Sequence, residues 1–245
     1  ITVANVGDCR AVLGIRRPDG MWQTVALSED HQPTREDEVR RIVEEHPGEA
    51  PATLIRRYDG EPDGPVRVLG WLMPSRAFGD SRLKWSNSVQ QLITSLEQSL
   101  THLKLGRVFR PIPDCLTPPY VSSAPELRSY TLVDPCAPVF LILACDGIWD
   151  TLSNEQAVAA VAEYLNTEPS PNNPLLRDAN AAVHLARAAL ADGLGEEEVS
   201  RKLTVEDARE YRDDITVAVV MFEGVEGRLQ AKGRAPWFLR DIVEV

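Results

Sequence analysis

The sequence is short of positive charge. It carries 26 Lys and Arg against 37 Asp and Glu in 245 residues, a net charge of −11, and no long Lys/Arg block concentrates the basic residues. A surplus of carboxylates repels a polyanion, which argues against a nucleic-acid binder held by phosphate contacts and favours basic or cationic partners. No apolar run approaches the ~20 residues that span a bilayer, and no charged-then-apolar leader precedes the first strand-like segment. A soluble chain with no transmembrane segment is expected. The four cysteines, Cys9, Cys115, Cys136 and Cys145, make no C-x-x-C pair and have no His at zinc spacing; a reducing compartment is the expectation. There is no internal repeat and no low-complexity tract.

Signatures of covalent catalysis are missing as well. None of the cysteines has an Arg six positions later, so the phosphate-cradling loop around a nucleophilic thiolate is absent. There is no D-x-D for an aspartyl-phosphate route, no G-x-x-x-x-G-K-[ST] and no G-x-S-x-G. The four histidines, His31, His46, His102 and His184, lie too far apart in sequence to suggest a shared metal.

What remains is an ordinary folded composition, 43% hydrophobic and 26% charged, long enough for one large domain or two small ones. Ile1 to Val6 and Ala11 to Ile15 read as a hairpin turning at Gly7-Asp8, with a third antiparallel strand at Trp22 to Leu27. Thr34 is placed to cap a helix from Arg35 to about Glu45, which Pro47-Gly48 ends. Two Asp-Gly pairs mark a turn-rich loop from Tyr58 to Pro65, before a short strand at Val66 to Leu69. Apolar residues at helical spacing predict an amphipathic helix over Ser88 to Leu105, and the prolines from Pro111 to Pro119 then interrupt regular structure. Val139 to Ala144 has the character of a buried central strand, Ser153 and Gln156 form a capping-box pattern for a helix to about Leu165, and a polar loop at Glu168 to Pro174 precedes a helix at Ala179 to Leu190. Ile215 to Phe222 is the last apolar strand.

Several acidic residues stand at strand ends rather than in charge runs. Asp8 lies in a tight turn, Asp146 closes the apolar run at Ala144, and Asp213-Asp214 precede the final strand. Carboxylates gathered at one end of a sheet repel each other unless a cation neutralises them, so such a cluster suggests a hard divalent ion, magnesium or manganese. Taken one at a time, each aspartate is more readily read as a turn residue than as a metal ligand.

The segments ANVGDCRAVL (Ala4 to Leu13), LSEDHQP (Leu27 to Pro33), EDEVRRI (Glu36 to Ile42), SRAFGD (Ser75 to Asp80), PEL (Pro125 to Leu127), FLILACDGIWDTLSNEQ (Phe140 to Gln156) and RDDITVAVVMF (Arg212 to Phe222) resemble, in order, those of the type 2C metal-dependent serine/threonine protein phosphatases. EEHPGE (Glu44 to Glu49), RVLGWLMPSRAFGDSRLKW (Arg67 to Trp85) and LTPPYVSSAPEL (Leu116 to Leu127) are similar to the pyruvate dehydrogenase phosphatase branch of that family.

The resemblance implies an α+β fold, an α-β-β-α four-layer sandwich of two antiparallel sheets flanked by helices, with a binuclear manganese or magnesium site at one end of the sheets. It identifies Asp146 and Asp213 with core metal ligands, Asp214 with a neighbouring position that is usually Asn, Asp8 with a residue that helps hold a third metal, and Asp150 with an outer partner. It implies direct attack on phosphorus by a metal-bridging water, without a protein-bound intermediate. Gly147 would keep the turn beside the metal carboxylate clear of a side chain; Arg76, Phe78, Asp80 and Trp149 are expected to be structural, and His31 not to be catalytic. By branch resemblance the implied substrate is a phosphorylated protein, the pyruvate dehydrogenase E1 alpha subunit, in the mitochondrial matrix.

One departure stands out. The chain begins at Ile1, and the family's arginine-bearing phosphate clamp and FDGHGG-like stretch, source of a bridging aspartate and the histidine acid, are not in it. Residues 1–245 are therefore expected to be the C-terminal two-thirds of one catalytic domain with a helical insert at about 86–115, inactive and poor at binding metal by themselves. The rival expectation is a non-catalytic phosphatase-like binding module.

Overall fold

The computed structural model describes residues 1–58, 63–97, 112, 114–134, 137–167, 178–206 and 212–222, together with the backbone at 98–99 and 238–244. In chain order the strands are β1 (Thr2–Asn5), β2 (Arg10–Arg16), β3 (Trp22–Ala26), β4 (Ile55–Arg57), β5 (Val66–Val68), β6 (Glu126–Ser129), β7 (Val139–Ala144), β8 (Thr216–Phe222) and β9 (Phe238–Glu244). The helices are α1 (Glu36–Glu45), α2 (Pro51–Leu54), α3 (Asn87–Ser99), α4 (Asp146–Trp149), α5 (Asn154–Asn166), α6 (Ala181–Ala191) and α7 (Glu196–Thr204). The class is α+β, as expected. The chain divides into two compact units, one made of Ile1–Asn5, Cys9–Glu29 and Leu127–Val245, the other of Val6–Asp8 and Asp30–Glu126. Among the described residues no helix is long and apolar enough to cross a membrane.

The first unit is built on an antiparallel sheet in the order β3-β2-β7-β8-β9. Strand alternation divides its side chains between two cores. Val12, Phe140, Ile142, Ala144, Val217 and Val219 face α5 and α6, whose inward residues are mostly small: Ala157, Val158, Val161, Ala181, Ala182, Leu185, Ala186 and Ala189. Small side chains let these helices lie close to the sheet. On the opposite face, Ala11, Leu13, Val139, Leu141 and Val220 pack with Val3, Tyr130 and Leu132 from β1 and the chain after β6. The observed layers of this unit are helices, a five-stranded sheet and a two-stranded sheet.

β1 departs from the expected hairpin. It pairs with β6 rather than with β2, and Ile1 and Tyr130 exchange backbone bonds of 2.9 and 2.8 Å. The Val6–Asp8 connection is not a tight turn closing on itself, because Gly7 bonds elsewhere: its C=O accepts from the His31 N–H at 3.0 Å, and its N–H donates to His31 Nδ1 at 3.2 Å. The capping box at Ser153 and Gln156 is present in both directions. Thr34 caps nothing: α1 starts at Glu36 with Arg35 as its N-cap, and the first turn is acidic instead, with Asp37 Oδ1 accepting from the Glu38 N–H. The expected helix over Ser88 to Leu105 is found as α3; its residues 100–105, residues 100–111 and 113 of the expected insert, Cys136 and the loop at Glu168 to Pro174 lie outside the described residues.

The second unit has an apolar core of Ile42, Leu54, Val68, Leu69, Leu83, Ile112, Cys115, Tyr120 and Val121 and two polar networks. Glu38 is 1% exposed and receives Arg76 at 2.6 Å, Arg41 at 2.9 Å and the Ser75 hydroxyl. Burial alone would push its carboxyl up, but these hydrogen bonds outweigh it and hold Glu38 well below the usual carboxylate range. The other network joins EEHPGE to LTPPY: Glu49 accepts from the Tyr120 hydroxyl at 2.8 Å and from Thr117, Thr117 lies 2.7 Å from His46 Nδ1, and the His46 and Tyr120 rings stack at 4.1 Å. These two stretches of branch-like sequence thus hold each other.

Gly14 is paired with Phe140 across β2 and β7, and a Cβ there would lie 2.3 to 2.8 Å from the buried Phe140 ring. Gly14→Ala is expected to lower stability by about 1–3 kcal/mol in urea denaturation, with Phe140→Leu in the same chain recovering part of the loss. Burial, the largest influence on each ring, lowers the pKa of both His31 and His46. The folded state then binds fewer protons than the unfolded one, so this stability is fully present above the free-histidine value of about 6.5 and is lost as pH falls below it. Urea midpoints are expected to drop between about pH 7.5 and about pH 5.5, and to drop less in His46→Gln.

Candidate functional site

β7 and β8 run antiparallel with Ala144 opposite Val217. Asp146 follows the end of β7 and Asp213-Asp214 precede the start of β8, so both acidic stretches emerge at one end of the five-stranded sheet. The sequence places carboxylates at strand ends; the strand pairing puts these on the same end.

Backbone contacts fix how close they come. The Cys145 N–H donates to Thr216 O at 3.1 Å. The Cys145 thiol donates to Asp214 O at 3.2 Å, and its sulfur accepts from the Thr216 N–H at 3.1 Å. Gly147 lies so tightly against the other stretch that a Cβ would be 2.4 Å from Asp214 O. Ile148 and Ile215 seal the layer beneath, 0% and 2% exposed. The sequence reading gave Gly147 the task of leaving the turn clear; the structure shows that the group it clears is the backbone of Asp214.

Each of the two carboxylates is aimed by the residue after it. Asp146 Oδ1 accepts from the Gly147 N–H at 3.0 Å and Asp213 Oδ1 from the Asp214 N–H at 2.7 Å. Asp146 is half-buried, while Asp213 and Asp214 are exposed. Asp150 is exposed at the end of α4, where its N–H donates to Asp146 O at 2.8 Å. Asp8 belongs to the Val6–Asp8 stretch of the second unit.

The donor chemistry at this end is hard oxygen, which suits magnesium or manganese; such ions are held by one or two carboxylates with water and substrate oxygens completing the shell. On donor chemistry alone, the Asp146 and Asp213 carboxylates are of the type such an ion takes. Among the described residues no group of three or more His, Cys, Asp or Glu side chains is arranged to hold a metal by itself.

Of the residues read as structural, Arg76 and Trp149 are held by other groups, whereas Phe78 is 77% exposed. Arg76 is committed to Glu38 and to Ala124 O at 3.0 Å. The Trp149 indole donates to Ala144 O at 2.8 Å and is 6% exposed. His31 is fully buried, with Nε2 3.3 Å from Glu126. Two residues were passed over in the sequence. Cys145 bridges the acidic stretches, and Arg10 lies over the Trp149 ring at 5.5 Å and donates to Asn154 at 3.3 Å. Only the position of Cys145, between a buried strand and an aspartate, could have drawn attention to it.

The chain is 39% identical over 244 residues to a protein phosphatase 2C homolog of Schizosaccharomyces pombe, covering 91% of this chain and 50% of that protein. It is 37% identical over 249 residues to the human mitochondrial [pyruvate dehydrogenase [acetyl-transferring]]-phosphatase 2, covering 90% and 45%, and 32% identical over 265 residues to the Saccharomyces cerevisiae phosphatase 1 of the same name, covering 91% and 44%. The chain spans about half the length of these curated relatives. Among solved structures, that of a sex determining protein of C. elegans matches with a TM-score of 0.51 at 16% identity, covering 94% of this chain and 38% of that one; it supports the fold alone. Residues 1–197 match the family described as protein phosphatase 2C, and the chain belongs to that family.

Proposed function

We propose that the whole protein is a divalent-metal-dependent phosphatase that removes phosphate from phosphoserine and phosphothreonine in proteins, with the pyruvate dehydrogenase E1 alpha subunit as substrate and the mitochondrial matrix as its location. The observation that carries the activity is the emergence of Asp146 and Asp213 at one end of the β7/β8 pair, in a chain of this family. The substrate and the compartment rest on the identity to the mitochondrial pyruvate dehydrogenase phosphatases.

In this reading Asp146 and Asp213 hold a manganese or magnesium ion, Asp150 contributes to further cation binding, and Asp214 adds negative charge beside them. The ion, when bound, supplies Lewis-acid stabilisation of the phosphoryl oxygens and makes a water nucleophilic near neutral pH. The protein's own part is orientation. The backbone N–H groups of Gly147 and Asp214 turn their carboxylates, and the close contact of Gly147 with Asp214 sets the spacing. No side chain need become a covalent nucleophile, in keeping with the missing cysteine and D-x-D signatures.

Manganese binding to the full-length protein, followed by calorimetry beside phosphate release from a phosphoserine peptide, tests this. Asp146→Asn is expected to abolish release and to weaken binding by more than about tenfold. Gly147→Ala is expected to weaken binding through displacement of the Asp213-Asp214 backbone, with a smaller loss of fold stability of about 1–3 kcal/mol. Manganese affinity unchanged in Asp146→Asn would overturn the assignment, and full-length protein that releases no phosphate would favour the non-catalytic module.

A further inference from the structure

We propose that Cys9 and Cys145 are an oxidisable dithiol pair that closes to a disulfide across the β2/β7 ladder when the protein meets a hydroperoxide. The last ladder pair at this end is Arg10 opposite Ala144. Cys9 precedes Arg10 and Cys145 follows Ala144, so the two cysteines are the next residues outward on neighbouring antiparallel strands. Directly opposite residues in such a ladder have Cα atoms about 4.5–5.5 Å apart and side chains on one face, inside the about 4.4–6.8 Å that a disulfide bridges.

Neither residue is in a disulfide, Cys9 is exposed and Cys145 is half-buried. Access is also favourable. By alternation the pair shares the face of Ala11 and Leu143, of which Ala11 is 3% and Leu143 39% exposed, so a small oxidant reaches this sheet end by way of the exposed Cys9 and Leu143 rather than across Ala11. Cys115, in contrast, is fully buried in the second unit.

The step balances. Each thiol gives up its hydrogen, the two sulfurs join, the peroxide O–O bond breaks and two electrons pass to it, leaving two waters when the oxidant is hydrogen peroxide. A thiol reductant reverses it.

Closing the bridge has a consequence at the acidic end. Cys145 Sγ now faces β8, where it holds Asp214 O and the Thr216 N–H. Bonding to Cys9 turns it toward β2 on the other side of its strand, which releases both contacts and loosens the spacing between the stretches of Asp146 and Asp213. The disulfide stands independently of the cation reading; its effect on the cation rests on that reading.

The test treats the full-length protein with hydrogen peroxide after removal of reductant, digests it without reduction and examines the peptides by mass spectrometry, and the manganese titrations use the same full-length protein. The expected result is one cross-linked pair containing Cys9 and Cys145, two hydrogens lighter than the separate peptides, that dithiothreitol separates and that Cys9→Ser does not form. Manganese titration of the oxidised chain is expected to show at least tenfold weaker binding than the reduced chain, and Cys9→Ser is expected to keep the reduced affinity after peroxide. A cross-link to Cys115 or Cys136, or Cys9 converted to sulfinic acid with no cross-link, would overturn the proposal. Equal manganese affinity in the two redox states would overturn the coupling. Failure of the reduced protein to bind manganese would instead count against the metal reading, with the cross-link judged by mass alone.

Discussion

The pairing of β7 with β8 is the constraint from which the rest of the first unit follows. It is central in the sheet, it supplies residues to the cores on both faces, and its outer end determines where Asp146 and Asp213 stand. Bringing carboxylates together is electrostatically unfavourable in the absence of a cation, so something other than their mutual attraction must hold the stretches in place. Here it is strand hydrogen bonding and the packing of Ile148 and Ile215, both of which act on the backbone. The acidic end is assembled by apolar burial a few residues away from the acids themselves.

The second unit solves a different problem. Its core includes ionised and hydrogen-bonding groups that burial would penalise if they lacked partners. Glu38 is tolerable because two guanidinium groups and a hydroxyl surround it, and those partners come from α1 itself and from the Ser75-Arg76 pair. Arg35 does the same for Glu126 at 2.7 Å. Removing one member would leave a buried charge uncompensated, which is costlier than never having had the pair. The chain segments meeting there, Glu36 to Ile42, Ser75 to Asp80 and Pro125 to Leu127, are all stretches by which the sequence resembles its family. Their shared physical role is to join loops that have little regular structure of their own.

How much of this could be read from the residues depends on the range of the interaction. Val139 to Ala144 as a strand and the Ser153/Gln156 capping box are written in adjacent residues, and both are found. The hairpin of β1 with β2 failed because strand partners are chosen over long distances: Gly7-Asp8 has the composition of a tight turn, but His31, 24 residues away, takes both backbone groups of Gly7. Thr34 failed as a cap because acidic residues in the first turn of α1 satisfy the same need. In the candidate site, the position of Asp146 and Asp213 at strand ends was legible from the sequence, and their common end needed only antiparallel pairing. The part played by Cys145 was not, since a sulfur that bonds to the backbone of residues 69 and 71 positions later leaves no local pattern.

That hidden role also explains why the acidic end need not be rigid throughout. Gly147 against Asp214 is a hard contact: it leaves no space for an added methyl group, so the two stretches cannot approach more closely. Cys145 is a soft one, because sulfur is a weak donor and a weak acceptor. A limit from steric contact on one side and weak tethering on the other fixes a minimum spacing while leaving some freedom to widen. In the proposed reading, such an arrangement would suit a hard cation that keeps exchangeable water positions and admits a phosphoryl oxygen, since a fully caged ion would have no place for either. It also makes the soft side the sensitive one. Changes at Asp214 O act on spacing through the backbone, whereas changes at the sulfur act through two weak bonds that a single side-chain rotation removes.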